Sequence, residues 1–170
     1  VRFIPHHDLT VSVVPAPGGQ RAPFHTVSVM RALVDEFKHA PPVLQTAINL
    51  VFLTTPRDER AEVEAIFNYV RGAVRYVRDV VGIETLADPV TTLRRMVGDC
   101  DDKATLLAAL LEAVGYPCRF VIAAYGDGDY EHVYLQCFFN GQWHDLDPTE
   151  DGAVGYSPPG AVKCWVEPIY

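Results

Sequence analysis

Met96-Val97-Gly98-Asp99-Cys100-Asp101-Asp102-Lys103, running into Ala104-Thr105-Leu106-Leu107-Ala108-Ala109-Leu110-Leu111-Glu112-Ala113-Val114-Gly115, decides the fold of this chain. Between Ala104 and Val114 only Thr105 and Glu112 are polar. A helix that is apolar all round is buried on every side, so this one is the centre of the molecule. Gly115 before Tyr116-Pro117 is its stop: glycine suits the left-handed position after a helix, and proline cannot continue it. At the other end Asp99 is the expected N-cap, with Asp102 three residues on in the manner of a capping box. Cys100 then takes the first helical position, at the positive end of the helix dipole, which favours thiolate over thiol. A buried helix that opens on cysteine is one way to build a nucleophile. The plainer reading is a small apolar residue at a helix start.

The totals narrow the function. The chain has 170 residues, 49% hydrophobic and 21% charged, which is the size and make-up of one globular domain over residues 1–170. Fourteen Lys and Arg against 22 Asp and Glu leave a net charge of −8. An acidic chain has no general attraction for phosphate backbones, so nucleic acid is not an expected partner. Arg71, Arg75 and Arg78 read as the solvated face of one helix. The cysteines at 100, 118, 137 and 164 form no C-x-x-C pair, which argues against a zinc ribbon and a thioredoxin-type motif. Reduced thiols are expected, as in a cytosol. With no apolar run long enough for a membrane span and no signal peptide at the start, a cytoplasmic protein without a membrane partner is the expectation. Val1 in place of Met leaves processing at that end open. No metal or cofactor is expected. His6-His7 is an isolated pair, and Gly126-Asp127-Gly128-Asp129 is a turn without the rest of a calcium loop. Cys100, His132 and the nearby acids lack metal-ligand spacing.

In chain order, Leu9 to Val13 alternates as a strand, and prolines and glycines make a loop of 15–23. Val27 to His39 has helical spacing, Pro41-Pro42 breaks it, and Val43 to Leu53 resumes it. Thr55-Pro56-Arg57-Asp58 reads as a helix start, with Thr as N-cap and Pro at the first position. Val63, Ile66, Phe67, Val70, Val74 and Val77 continue that helix to about Val81-Gly82. Asp88-Pro89 starts a short helix reaching Met96. After Gly115 the pattern turns to strands: Cys118 to Tyr125, Tyr130 to Phe139, Gln142 to Leu146 and Ala161 to Glu167. Helices first and an antiparallel meander second make an α+β fold, with a central buried helix packed on an antiparallel sheet.

Asn140-Gly141 is a strong hairpin signal and gives a geometric test. In a two-residue turn, paired positions sum to 281, so Phe139 faces Gln142, Gln136 faces Asp145, and Tyr134 faces Asp147. With a period of two, His132, Tyr134, Gln136, Phe138, Trp143, Asp145 and Asp147 share one face. Val133, Leu135, Cys137, Phe139, His144 and Leu146 take the other. His132 and Asp147 are then diagonal neighbours, roughly 7–8 Å apart at the backbone and within side-chain reach. Asp145 is one pair too far, and His144 is on the apolar face. Cys100, His132 and Asp147 thus form a candidate catalytic set: a thiol, a base to take its proton, and a carboxylate to fix the base's tautomer. Each has a plainer reading, as a helix-start cysteine, a strand histidine and an Asp-Pro turn. Asp99, Asp101 and Asp102 crowd the thiol, and their charges oppose thiolate formation.

Gly98-Asp99-Cys100 opening an apolar helix, His132 on a strand, the Asn140-Gly141 turn, Trp143, and Leu146-Asp147-Pro148-Thr149 come in that order. Together with the Tyr69-Val70 to Tyr76-Val77 segment they resemble the transglutaminase-like (papain-like cysteine) superfamily, over roughly residues 56–150. The resemblance implies a papain-like fold, with Cys100 as nucleophile, His132 as base and Asp147 as its orienter. It implies amide processing through a thioester on a peptide or protein substrate, by hydrolysis or by transfer to an amine. The Cys100 main-chain N–H is the expected oxyanion donor, and Gln45, Asn68 and Tyr76 are the candidates for a second. A catalytically inactive binding or assembly module on the same fold is the alternative.

Overall fold

The computed structural model describes residues 2–6, 9–14, 22–78, 84–126 and 129–169. Strands β1 (Arg2–His6) and β2 (Leu9–Val14) form a hairpin, and β2 pairs on its other side with β4 (Glu84–Ala87), all antiparallel. Helices α1 (Ala22–Phe37), α2 (Pro41–Phe52), α3 (Glu59–Ala73) and α4 (Pro89–Arg95) surround α5 (Cys100–Ala113). Between α3 and α5 the two-residue strands β3 (Arg75–Tyr76) and β5 (Val97–Gly98) run parallel. The antiparallel sheet that follows has the order β8-β7-β6-β9, from β6 (Cys118–Tyr125), β7 (Asp129–Phe139), β8 (Gln142–Leu146) and β9 (Lys163–Pro168). This is the expected α+β layout, helices around a central helix on an antiparallel sheet.

The core has α5 at its centre. Ala104 and Leu106 through Leu111 are fully buried and share one cluster with Phe120, Ile122, Val133, Leu135, Phe139 and Leu146 from the inner sheet face. The two polar residues of the apolar run are accounted for locally. Thr105 Oγ1 donates to Asp101 O at 2.7 Å, one turn back, and Glu112 Oε1 accepts the Cys118 N–H at 2.9 Å, where β6 begins. Gly115 ends the helix at φ +92°. Asn140 and Gly141, at φ +49° and +79°, make the two-residue turn, and the pairs Phe139–Gln142, Phe138–Trp143 and Gln136–Asp145 follow the expected register.

Several boundaries differ from the sequence reading. Helix α1 begins at Ala22, before Val27, and α2 begins on Pro41 itself. Proline's missing N–H costs nothing in a first turn, so Pro41-Pro42 starts a helix where the sequence pattern alone suggests a break. Asp58, not Thr55, caps α3: its carboxylate accepts the Ala61 N–H at 3.0 Å, and Thr55-Pro56-Arg57 is a turn closed by Asp58 N–H to Thr55 O. Helix α3 stops at Ala73, so Arg75 lies in β3 and only Arg71 of the three arginines stands on the helix. The expected helix end at 81–82, most of the 15–23 loop, His7, and Asp127-Gly128 of the acidic turn lie outside the described residues. Among the described residues no helix is long and apolar enough to cross a membrane.

Candidate active site

Cys100 stands at the first position of α5. Asp99 caps the helix, its Oδ1 accepting the N–H groups of Asp101 at 3.0 Å and Asp102 at 3.2 Å. Asp102 Oδ1 accepts the Ala87 N–H at 2.8 Å, which ties the first turn to β4. Gly98 is required for this close approach: a Cβ there would lie 2.5 Å from Asp102 Cβ. The Gly-Asp-Cys run is therefore a packing solution that holds the first turn of α5 against its neighbours.

The sulfur has two neighbours of opposite effect. Its thiol donates to Asp101 Oδ1 at 3.5 Å, and the Val133 main-chain N–H bonds the sulfur from β7. Burial raises the thiol pKa well above that of a free cysteine, and the charges of Asp101 and Asp99 raise it further. The Val133 N–H pulls the other way.

Val133 follows His132, so the same strand that touches the sulfur carries the imidazole. A bulge at Glu131 separates the pairs Ala123–His132 and Ala124–Tyr130, and His132 comes directly after it. His132 Nε2 lies 2.6 Å from Asp147 Oδ2. The side chain of Asp147 is 1% exposed and that of His132 17%. Asp147 Oδ1 accepts from Thr149 N at 2.9 Å and Thr149 Oγ1 at 2.7 Å. Burial pushes the Asp147 carboxyl up, but the His132 bond and charge, with the Thr149 bonds, outweigh it and hold its pKa below the usual carboxylate value. The His132 ring stacks on Tyr134 at 6.0 Å between centroids and meets Tyr125 at 6.5 Å.

The structure thus brings His132 and Asp147 into contact and sets the strand of His132 against Cys100. Asp145 is engaged elsewhere: it accepts from Gln136 Nε2 at 2.7 Å and from Ser157 Oγ. His144 is on the inner face, stacked on Phe139 at 4.0 Å. Of the three candidates for a second oxyanion donor, Gln45 bonds Asn49 on α2 and Asn68 accepts from Arg71. Tyr76 pairs with Gly98 in the β3–β5 ladder and is within electrostatic range of Cys100. Burial, then the Cys100 charge, raise its phenol pKa. Two features escaped the sequence reading. The Val133 N–H is a main-chain donor and leaves no side-chain signature. Lys103, one turn below Cys100, is the cation of a helix whose other charged residues are acids, and that oddity is the available signal. Among the described residues no group of three or more His, Cys, Asp or Glu is placed to hold a metal ion.

Comparison with known proteins agrees with the fold. No curated protein matches the chain. Among solved structures, a candidate protease from Parabacteroides distasonis ATCC 8503 superposes with a TM-score of 0.58 at 14% identity, over 76% of this chain and 26% of that one. A candidate cysteine protease from Cytophaga hutchinsonii gives 0.56 at 16% identity, over 93% of this chain and 57% of that one. A chain of the Rad4/XPC nucleotide excision repair complex gives 0.53 at 13% identity, over 79% of this chain and 41% of that one. At such identities the likeness is one of fold, and the chain spans between about a quarter and about three fifths of those proteins. The family model of the transglutaminase-like superfamily matches residues 47–148, more than half of the chain, and so takes in Cys100, His132 and Asp147. The chain belongs to the transglutaminase-like superfamily.

Proposed function

We propose that this protein processes amide bonds through a thioester on Cys100, with His132 as general base and acid and Asp147 as its orienter. The observation that carries this reading is the His132–Asp147 contact of 2.6 Å on the strand whose next residue bonds the Cys100 sulfur. Asp147 engages Nε2, which leaves Nδ1 as the ring nitrogen to exchange a proton with sulfur. In the first step the sulfur attacks a carbonyl carbon of a peptide or protein, and the thiol proton passes through His132 to the departing amine as the C–N bond breaks. Water then attacks the thioester, its proton returns through His132 to sulfur, and an acid is released. An amine in place of water gives a new amide. Hydrolysis is the simpler outcome, since it needs no second substrate site. The Cys100 N–H at the start of α5 is one oxyanion donor, and the Tyr76 hydroxyl is the candidate for the other.

A second reading, a binding module without catalysis, draws on the acids that raise the thiol pKa. Fold alone does not decide between the two. The test is alkylation of each cysteine from about pH 5 to pH 9, followed by mass spectrometry. Rapid reaction of Cys100 at pH 6 that His132→Ala abolishes supports the enzyme. It should be joined by turnover of peptide or glutamine substrates that Cys100→Ala abolishes while the fold persists. A Cys100 no faster than the buried Cys118 and Cys137 favours the binding module.

A further inference from the structure

Lys103 stands where two physical rules oppose a lysine. It is in the first turn of α5, where the helix dipole disfavours cations, and it is 2% exposed. Burial lowers its pKa below the ordinary lysine value, which marks the cost of holding the charge there. What it touches explains the position. Helix α3 ends because the Arg75 N–H, which would have bonded Arg71 O one turn back, donates to Met96 O at 2.9 Å and opens the β3–β5 ladder. The freed Arg71 carbonyl accepts from Lys103 Nζ at 3.2 Å, and Val74 O accepts from the same ammonium at 2.8 Å. These are end-of-helix carbonyls at the negative pole of α3, where a cation is favoured. From the same turn, Arg71 Nη1 donates at 2.6 Å to Gly152 O, in the segment that follows Asp147.

We propose that Lys103 is a positioning residue for the Cys100 site: its ammonium takes the carbonyls released where α3 gives way to β3, so that Tyr76 is held beside Cys100, and its charge faces Asp147. The proposal rests on the reading of Cys100, His132 and Asp147 as the reactive set. The consequence for reactivity follows from the charges around each group. Lys103 is faced by Asp147 and by Arg71 of α3. Cys100 is faced by the N-cap Asp99, by Asp101 of its own helix and by Tyr76 of β3. Asp147 is faced by His132 of β7, and Tyr125 of β6 and Tyr134 of β7 are in its range. Lys103 stands three residues after Cys100 on α5, so its buried charge opposes those that Asp99 and Asp101 set beside the sulfur.

The experiment compares the alkylation profile of Cys100 in the wild type, Lys103→Met and Lys103→Arg, with circular dichroism to check folding and the exposed Cys164 as internal control. Lys103→Met keeps most of the stem and removes the charge. Its Cys100 profile should move about one pH unit to the alkaline side, about tenfold slower reaction at pH 6, with Cys164 unmoved. Lys103→Arg should keep the wild-type profile, whatever its amplitude. A folded Lys103→Met with the wild-type profile overturns the proposal. Should Lys103→Met not fold, the Lys103 Nζ resonance of ¹⁵N-lysine-labelled protein is followed on Asp147→Asn. A shift is expected, and an ammonium blind to that change overturns the proposal equally. A wild-type Cys100 inert at pH 6 has a different meaning, because it removes the reactive set itself and this role with it.

Discussion

His132 and Asp147 meet at 2.6 Å although fifteen positions separate them, because one hairpin turn at Asn140-Gly141 sets them diagonally on the outer face of β7 and the end of β8. The contact fixes a tautomer and is buried on the carboxylate side. Asp147→Asn keeps the shape and removes the charge. If His132 serves Cys100 as proposed, turnover should fall by about 10²- to 10⁴-fold with little change in fold. The substitution also has a pH signature. The folded-state pKa of Asp147 is lowered, so the ionised carboxylate contributes stability above its unfolded pKa of about 3.9 and loses it as pH falls through the folded value. The stability gap between wild type and Asp147→Asn, read by urea unfolding, should therefore be full at pH 6 and close as pH falls below about 4.

Gly98→Ala tests the packing under the site. The new methyl would meet Asp102 Cβ at 2.5 Å and Oδ2 at 3.0 Å, and Asp102 is held by the Ala87 N–H, so it has little room to yield. Overpacking of this kind costs about 1–3 kcal/mol. Chemical denaturation should show the loss, whereas Gly72→Ala, on open space in α3, should be neutral or stabilising.

How far the sequence reading reached depended on the range of the interaction. Helix α5 was legible because eleven residues with two polar exceptions admit few environments, and the hairpin because Asn140-Gly141 specifies its own turn. From those two elements, period-two counting brought His132 to Asp147. The β3–β5 ladder was not legible. Val74 and Val77 continue the spacing of α3 and look helical, yet Arg75 N–H finds Met96 O, twenty-one residues on, and the chain leaves the helix. Thr55-Pro56 carries as good a start signal as Asp58, and only the turn closed onto Thr55 O decides between them. The Val133 N–H beside the sulfur could not be found by any residue pattern.

The four thiols should separate by access. Cys118 and Cys137 are partners across β6 and β7 and fully buried, while Cys164 on β9 is exposed. In native protein, alkylation at pH 8 should label Cys164 readily and leave Cys118 and Cys137 intact until denaturant is added. Mass spectrometry of the digested protein gives the count at each site. Labelling of Cys118 in native conditions would mean that β6 opens from β7, and with it the strand that carries His132.

Asp101→Asn makes the most direct test of what the acids do to Cys100. The Asp101 carboxylate accepts the thiol proton at 3.5 Å and, after burial, is the largest influence raising the thiol pKa. Asparagine preserves an acceptor oxygen of similar reach, and the Thr105 hydroxyl bonds the main-chain carbonyl of residue 101, so that link survives the change. What is lost is one negative charge beside sulfur. The thiolate is then cheaper, the pKa falls, and alkylation of Cys100 at pH 7 should rise by about three- to tenfold. Catalysis need not follow in the same direction, because a thiolate made more stable is also a weaker nucleophile. The expected result is therefore faster alkylation with a smaller change in turnover. Slower alkylation would mean that Asp101 assists the departure of the thiol proton and belongs to the proton path beside His132.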